Sequence, residues 1–252
     1  MVRALVLRTA GTNCDEETVF ALQLAGAKTE LVHINQLRQS PKYLLSYQIL
    51  ALPGGFSYGD DISAGKVLAL EILLFLREVI EEFIEKGNLI IGICNGFQVL
   101  VKTGLLPAIG KRFNVEVTLT DNDSGLFVDK WVQLDLIRRD LPWTKYVTHR
   151  RLFMPVAHAE GKFFCSQEIL NRLEEQNLVV FKYAEGTNPN GSLRDIAGIC
   201  DVTGQVLGLM PHPERAIVCS QYPDRSKEME YNRTMPPLEI FRSAVKSLDK
   251  LY

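Results

Sequence analysis

Through the first hundred residues, apolar side chains come in short unbroken runs separated by helical repeats. Val2 to Leu7, Thr29 to Ile34, Gln48 to Leu52 and Leu89 to Ile93 predict strands buried on both faces. Between them, Asp15, Glu16 and Glu17 open a helix that stops at Gly26. The positions Val67, Leu68, Leu70, Leu73, Leu74, Val79, Ile80, Phe83 and Ile84 mark one or two helices closed by Gly87. Strands alternating with helices predict an α/β fold: a doubly wound, mostly parallel sheet with helices on both faces and a ligand site beyond the strands' carboxyl ends.

The pattern then changes. Val115, Val117 and Leu119 alternate with polar residues, residues 121–125 form a turn cluster, and Val132, Leu134 and Leu136 alternate again. That period predicts an antiparallel extension in the second half. Phe153 to Ala157, Val179 to Tyr183, Ile196 to Asp201 and Gln205 to Met210 read as further strands. Gln167 to Gln176 reads as a helix capped by Ser166, and Leu238, Phe241, Val245 and Leu248 as a closing amphipathic helix.

With 252 residues, 46% of them hydrophobic, we expect a single domain over 1–252 with an ample core. Five cysteines without a Cys-x-x-Cys pair argue against a disulfide framework or structural zinc, so no metal site and a cytoplasmic location are expected. Residues 1–8 are too short and charged for a signal peptide, and no apolar run is long enough to span a membrane. A net charge of −2, with Arg138-Arg139 and Arg150-Arg151 as the only basic doublets, gives no footprint for nucleic acid. Neither Gly-x-Gly-x-x-Gly nor a phosphate-binding P-loop occurs.

The chemistry gathers at residues 92–98. Glycines two before and two after Cys94 give Gly-x-Cys-x-Gly at a strand-to-helix switch, the thiol version of a nucleophile elbow. The thiol is expected to stand exposed at the strand's end, before a short helix that starts over Gln98 to Lys102 and ends at Gly104, with backbone N–H groups and the helix dipole favouring thiolate. Cys14, Cys165, Cys200 and Cys219 lack such a frame and read as packing.

A nucleophilic thiol needs a base, and the base an orienting group. His33 and His149 fit core or surface roles. His158 and His212 each have a glutamate two residues on, so spacing alone leaves both open. His212 has the better frame, since it leaves an apolar strand between two prolines that restrict its backbone. The backbone N–H groups of Gly55 and Asn95 are the natural donors for an oxyanion.

Four ordered motifs, Pro53 to Asp60, Gly92 to Gln98, Asn188 to Ser192 and Met210 to Arg215, resemble the class I glutamine amidotransferases, and among them the glutaminase subunits of purine biosynthesis. The resemblance implies a flavodoxin-like fold with Cys94 as nucleophile, His212 as base, Glu214 as its orienter, and Gly55 and Asn95 at the oxyanion hole. Gly54, Gln98, Asn122 and Ser124 would then contact the L-glutamine substrate. It further implies no cofactor in this chain, ATP and Mg on a separate synthetase subunit that turns formylglycinamide ribonucleotide into its amidine, and a small accessory subunit. A glutaminase or cysteine hydrolase of another pathway and a silent regulatory subunit are the alternatives. The segment 158–162 departs from the family's pattern at Ala159 and Lys162, and segments 137–152 and 219–237 are longer than expected, as partner contacts would be.

Overall fold

The unbroken apolar runs become neighbours in one sheet. A computed structural model describes residues 1–224 and 230–249. In it β1 (Arg3–Arg8), β2 (Lys28–His33), β3 (Ile49–Leu52) and β4 (Leu89–Ile93) lie parallel in the order β2-β1-β3-β4. Every residue of β3 and β4 is buried, so neither strand has a solvent face to mark with polar residues. The connections carry α1 (Asp15–Leu24), α2 (Ile34–Gln39), α3 (Lys66–Glu71) and α4 (Arg77–Glu85), and α5 (Asn95–Lys102) follows β4. The stripe Val79, Ile80, Phe83 and Ile84 turns α4 onto the core.

Two boundaries differ from the sequence reading. Ile34 begins α2 instead of ending β2, because His33 Nδ1 accepts the Asn35 N–H at 3.2 Å and caps the helix. The repeat from Val67 to Ile84, read as one or two helices, is two, joined by one wide turn over Ile72–Leu76, in agreement with that reading. Val115 is 58% exposed and lies outside the strand expected for it.

The second half contains β5 (Thr118–Asp121), β6 (Val128–Leu136), β7 (Arg151–His158), β8 (Glu160–Phe164), α6 (Gln167–Glu175), β9 (Val179–Tyr183), β10 (Ile196–Cys200), β11 (Val206–Leu209) and α7 (Leu238–Asp249). Ser166 Oγ caps α6 by accepting the Ile169 N–H at 3.3 Å. On β6, Val132, Leu134 and Leu136 are buried while Asp129 and Gln133 are exposed, the alternation of a one-faced strand. The full order is β2-β1-β3-β4-β11-β10-β9-β6-β7, with β5 and β8 as a separate antiparallel pair. β11 adds in parallel to β4, and β10, β9, β6 and β7 follow antiparallel. The result is the expected doubly wound sheet with its antiparallel extension.

Segment 137–152 packs inward: Leu141, Trp143 and Val147 are buried, and the hydroxyls of Ser243 and Ser247 on α7 donate to Pro142 O. Of segment 219–237, residues 225–229 lie outside the described residues; Val218 and Thr234 bridge its ends. The strands β3, β4 and β11 are adjacent, parallel and at the sheet's centre, and each leads at its carboxyl end into one of the motifs singled out above.

Candidate active site

Cys94 leaves β4 with φ 50° and ψ −104°, a left-handed conformation that costs a residue with a Cβ. The flanking glycines show what enforces it. A Cβ on Gly92 would stand 2.5 Å from Gly96 O, and one on Gly96 would collide with Leu52 O. Because the chain turns in a single residue, α5 starts at Asn95, three residues before the expected Gln98. The thiol is also not exposed as expected but 4% accessible, since β7 and β8 fold over it and Sγ lies 3.6 Å from Ala157 O.

The register of β11 delivers the base. Leu209 pairs with Ile93, and the Cys94 N–H donates to Leu209 O at 2.8 Å. Three residues on, the His212 N–H donates to Pro155 O of β7 at 2.8 Å, fixing the chain where the ring leaves it. Pro213–Arg215 form one tight turn that bends Glu214 back, so that His212 Nδ1 and Glu214 Oε1 meet at 2.6 Å, both side chains buried. A carboxylate only accepts, so Nδ1 carries the proton. Burial alone would push this imidazole down, but the Glu214 carboxylate, then Cys94 and Cys14, outweigh it and hold His212 well above the ordinary 6.5. Nε2 is buried without a hydrogen-bond partner, and the Cys94 thiol is near enough to interact with the ring. The arrangement is an oriented base beside a thiol at a helix N-terminus, which suits nucleophilic acyl transfer.

His158 is built differently. Asn122 Nδ2 donates to Leu126 O and His158 O, so Asn122 Oδ1 is free to accept from Gly161 N and from His158 Nδ1, the latter at 3.0 Å. Nε2 faces Asn190 Nδ2 at 3.4 Å, a donor. A second proton on this ring would therefore find no acceptor. Burial, with the charge of His212, pushes His158 down to about 4. Glu160 turns away from it, accepting the Ala64 N–H at 3.2 Å and standing 3.8 Å from Lys102 Nζ. In the rival His-x-Glu, ring and carboxylate are thus bonded to separate partners and not to each other.

A cavity of about 40 Å³ opens at the thiol, lined by Gly55, Phe56, Asp60, Ala64, Cys94, Gln98 and residues 157–160. Gly55 pairs with Thr12 in an isolated bridge whose hydrogen bonds run through Asn13 and Gly54 on one side and Phe56 and Gly11 on the other. Gly55 is thus in the non-bonded pair, with its N–H directed away from the partner strand. Asn95 opens α5, where N–H groups have no intrahelical acceptor. The Asn95 side chain is committed elsewhere: Nδ2 donates to Asp60 Oδ1 and Gln98 Oε1, both at 3.0 Å, and Oδ1 accepts the Ser57 N–H at 3.2 Å. Gln98 Nε2 donates to Glu160 O, at the cavity wall.

The remaining expected substrate residues do not line this cavity. Gly54 makes room for the base, since a Cβ there would come within 2.7 Å of His212 Cε1. Asn122 spends its whole amide on His158, Gly161 and Leu126, and Ser124 Oγ accepts the Leu126 N–H at 3.3 Å on the surface. Two neighbours escaped the sequence reading: Asp60, whose carboxyl burial pushes up despite the bonds from Gly65 and Asn95, and Cys14, which touches His212. Asp60 closes the Pro53 to Asp60 motif, so a signal existed; Cys14 carried none. Cys14, His212 and Glu214 bring sulfur, nitrogen and oxygen within 4.8 Å, but their bonds to one another and to Arg215 use the atoms a cation would need.

Comparison with known proteins agrees with this geometry. Residues 1–247 match the family model described as a CobB/CobQ-like glutamine amidotransferase domain. The chain is 48% identical over 255 residues to a protein of Dehalococcoides mccartyi named phosphoribosylformylglycinamidine synthase subunit PurQ, covering 97% of each. It is 41% identical to the protein of the same name from Treponema denticola, covering 96% of this chain and 97% of that one. A chain in the solved structure of PurLQS from Thermotoga maritima superposes with a TM-score of 0.77 at 32% identity, over 98% of this chain and 99% of that one. Elbow, oriented base and whole-length likeness agree: the chain belongs to the CobB/CobQ-like glutamine amidotransferase family.

Proposed function

We propose that this chain is the glutaminase subunit of a phosphoribosylformylglycinamidine synthase, in which Cys94 is the nucleophile, His212 the base and Glu214 its orienter. The observation that carries the reading is the 2.6 Å His212–Glu214 contact beside a thiol held in a strained elbow. Cys94 sulfur attacks the side-chain amide carbon of L-glutamine, and the oxyanion is received by the N–H groups of Gly55 and Asn95. His212 passes a proton to the departing nitrogen, ammonia leaves, and a γ-glutamyl thioester remains. His212 then takes a proton from water, which attacks the thioester and releases glutamate. Gln98 lines the glutamine cavity. Asn122 acts at one remove, by holding the His158 wall, Gly54 leaves room for the His212 ring, and Ser124 is proposed to meet the substrate from the loop that Asn122 anchors.

Hydrolysis needs only thiol, imidazole, carboxylate and water, so the chain uses no cofactor of its own. ATP and Mg belong to the synthetase subunit, which activates the amide oxygen of formylglycinamide ribonucleotide and accepts the ammonia; a small accessory subunit completes the complex. The names of the relatives and the solved PurLQS structure support that partnership. Among the described residues no helix is long and apolar enough to cross a membrane, and none of the five cysteines is in a disulfide, in keeping with a cytoplasmic enzyme. Uncoupled hydrolysis would waste glutamine, which favours a site made competent when the loaded partner docks. The test is glutamine hydrolysis by the chain alone and then with synthetase, ATP and formylglycinamide ribonucleotide. Large stimulation is expected, and full activity unchanged by the partner would overturn the coupled reading.

A further inference from the structure

A second thiol stands against the base, and the triad does not account for it. Cys14 precedes α1 and is 1% exposed. Its sulfur lies 3.9 Å from His212 Nδ1, accepts from Arg215 Nη2 at 2.9 Å, and donates to Asn13 Oδ1 at 3.4 Å. Its backbone N–H donates to Gly54 O at 3.2 Å. Three segments therefore meet on one side chain: the start of α1, the Gly54-Gly55 loop and the His212–Arg215 turn.

Cys14 is a poor second nucleophile. It has no elbow, and burial pushes its thiol above the ordinary value of 9.0 despite the neighbouring imidazole. Its contact with Arg215 matters for another reason. Glu214 gives only Oε1 to His212, while Oε2 is buried without a hydrogen-bond partner. A guanidinium binds both oxygens of a carboxylate with the geometry it prefers, and Arg215 is the next residue in the chain. Arg215 already feels the charges of Glu214 and Glu17; freed from Cys14 it can turn to Glu214, and the His212–Glu214 bond would then have to compete with it.

We infer that Cys14 is a positioning residue for glutamine hydrolysis: it holds Arg215 away from Glu214 and bounds the space in which the His212 ring faces Cys94. The inference rests on the proposed triad. The charged and titratable groups around His212 are Glu214, Cys94, Cys14 and His158, with Arg215 held against Cys14; the guanidinium also feels Glu17, and the hydrogen bond that ties it down beside the base is the one to Cys14.

The test compares Cys14→Ala, Cys14→Ser and Cys14→Ala with Arg215→Met, each assayed with the synthetase partner and its substrates. The pH dependence of Cys94 alkylation by iodoacetamide is followed in parallel by peptide mapping. Cys14→Ala should lower kcat about tenfold with KM within about twofold, the loss expected for one bond to a charged group. The limb carried by His212 should move to lower pH, because the thiol helps hold that imidazole up. Cys14→Ser, which keeps an acceptor for Arg215, should recover most of the rate, and so should removal of the guanidinium in the double variant. An unshifted limb with kcat within twofold for Cys14→Ala, or a double variant as slow as the single one, would overturn the inference. Cys94→Ala is run alongside: activity surviving there would sink the triad itself, a failure distinct from that of Cys14.

Discussion

His212-Pro213-Glu214 and His158-Ala159-Glu160 share one spacing and differ in almost everything else. In the first, a proline-led tight turn folds the glutamate onto the imidazole, both buried, with the remaining ring nitrogen unpaired on the thiol's side. In the second, the histidine ends β7 and the glutamate begins β8, and the two side chains take separate partners, Asn122 and Asn190 for the ring, Ala64 and Lys102 for the carboxylate. One ring faces a carboxylate, which favours its protonated form; the other is buried between two amides, which favours its neutral form. The backbone between the two residues, not the number of residues, decides whether a pair is chemistry or scaffold.

The strongest way to break this comparison is to remove each ring. His212→Ala should lower glutamine hydrolysis by at least about a thousandfold, the scale seen for a triad base, with the fold intact by circular dichroism. His158→Ala should lose about tenfold, through the cavity wall. Collapse with His158→Ala and survival of His212→Ala would exchange the two roles. Glu214→Gln comes next, at about a hundredfold in kcat with little change in KM, since an orienting group contributes less than the base.

How far the sequence reading reached follows the same division. The parallel half was legible because strands buried on both faces leave unbroken apolar runs, and because Gly92 and Gly96 are required by contacts with Gly96 O and Leu52 O that a local motif already implies. The turn at Pro213 was legible too, from its prolines. By contrast β8 reads Glu-Gly-Lys-Phe-Phe, too short and mixed to show a period, and the Asn122–His158–Asn190 network joins residues 32 and 36 apart in sequence. Cys14 reaches His212 across 198 residues, with only tertiary structure to bring them together. The elbow's helix was read three residues late because the strain sits on Cys94 alone.

Acid sharpens the contrast between the two rings. His158 falls from 6.5 to about 4 on folding, so between those values the unfolded chain binds a proton that the folded chain refuses. Stability should fall as pH drops through that window, by up to about 3 kcal/mol for this group. His212 works with the opposite sign: raised on folding, it contributes stability fully present below pH 6.5 and lost as pH climbs through its folded value. Urea unfolding of His158→Gln should show a flatter profile between pH 6.5 and 4 than the parent protein, and an unchanged slope would contradict the buried, amide-bound ring. The smallest effect belongs to Glu160→Gln, about 1 kcal/mol from a partly exposed pair. A loss of turnover matching that of Glu214→Gln would erase the distinction between the two carboxylates.

All of this depends on Cys94 being the atom that attacks glutamine. The most direct measurement is stoichiometric labelling with a glutamine-like electrophile, followed by peptide mapping and parallel assay of hydrolysis. The account predicts one label per chain, on Cys94, with activity lost in proportion to label. Label on Cys14, Cys165, Cys200 or Cys219 with the same proportional loss would contradict it.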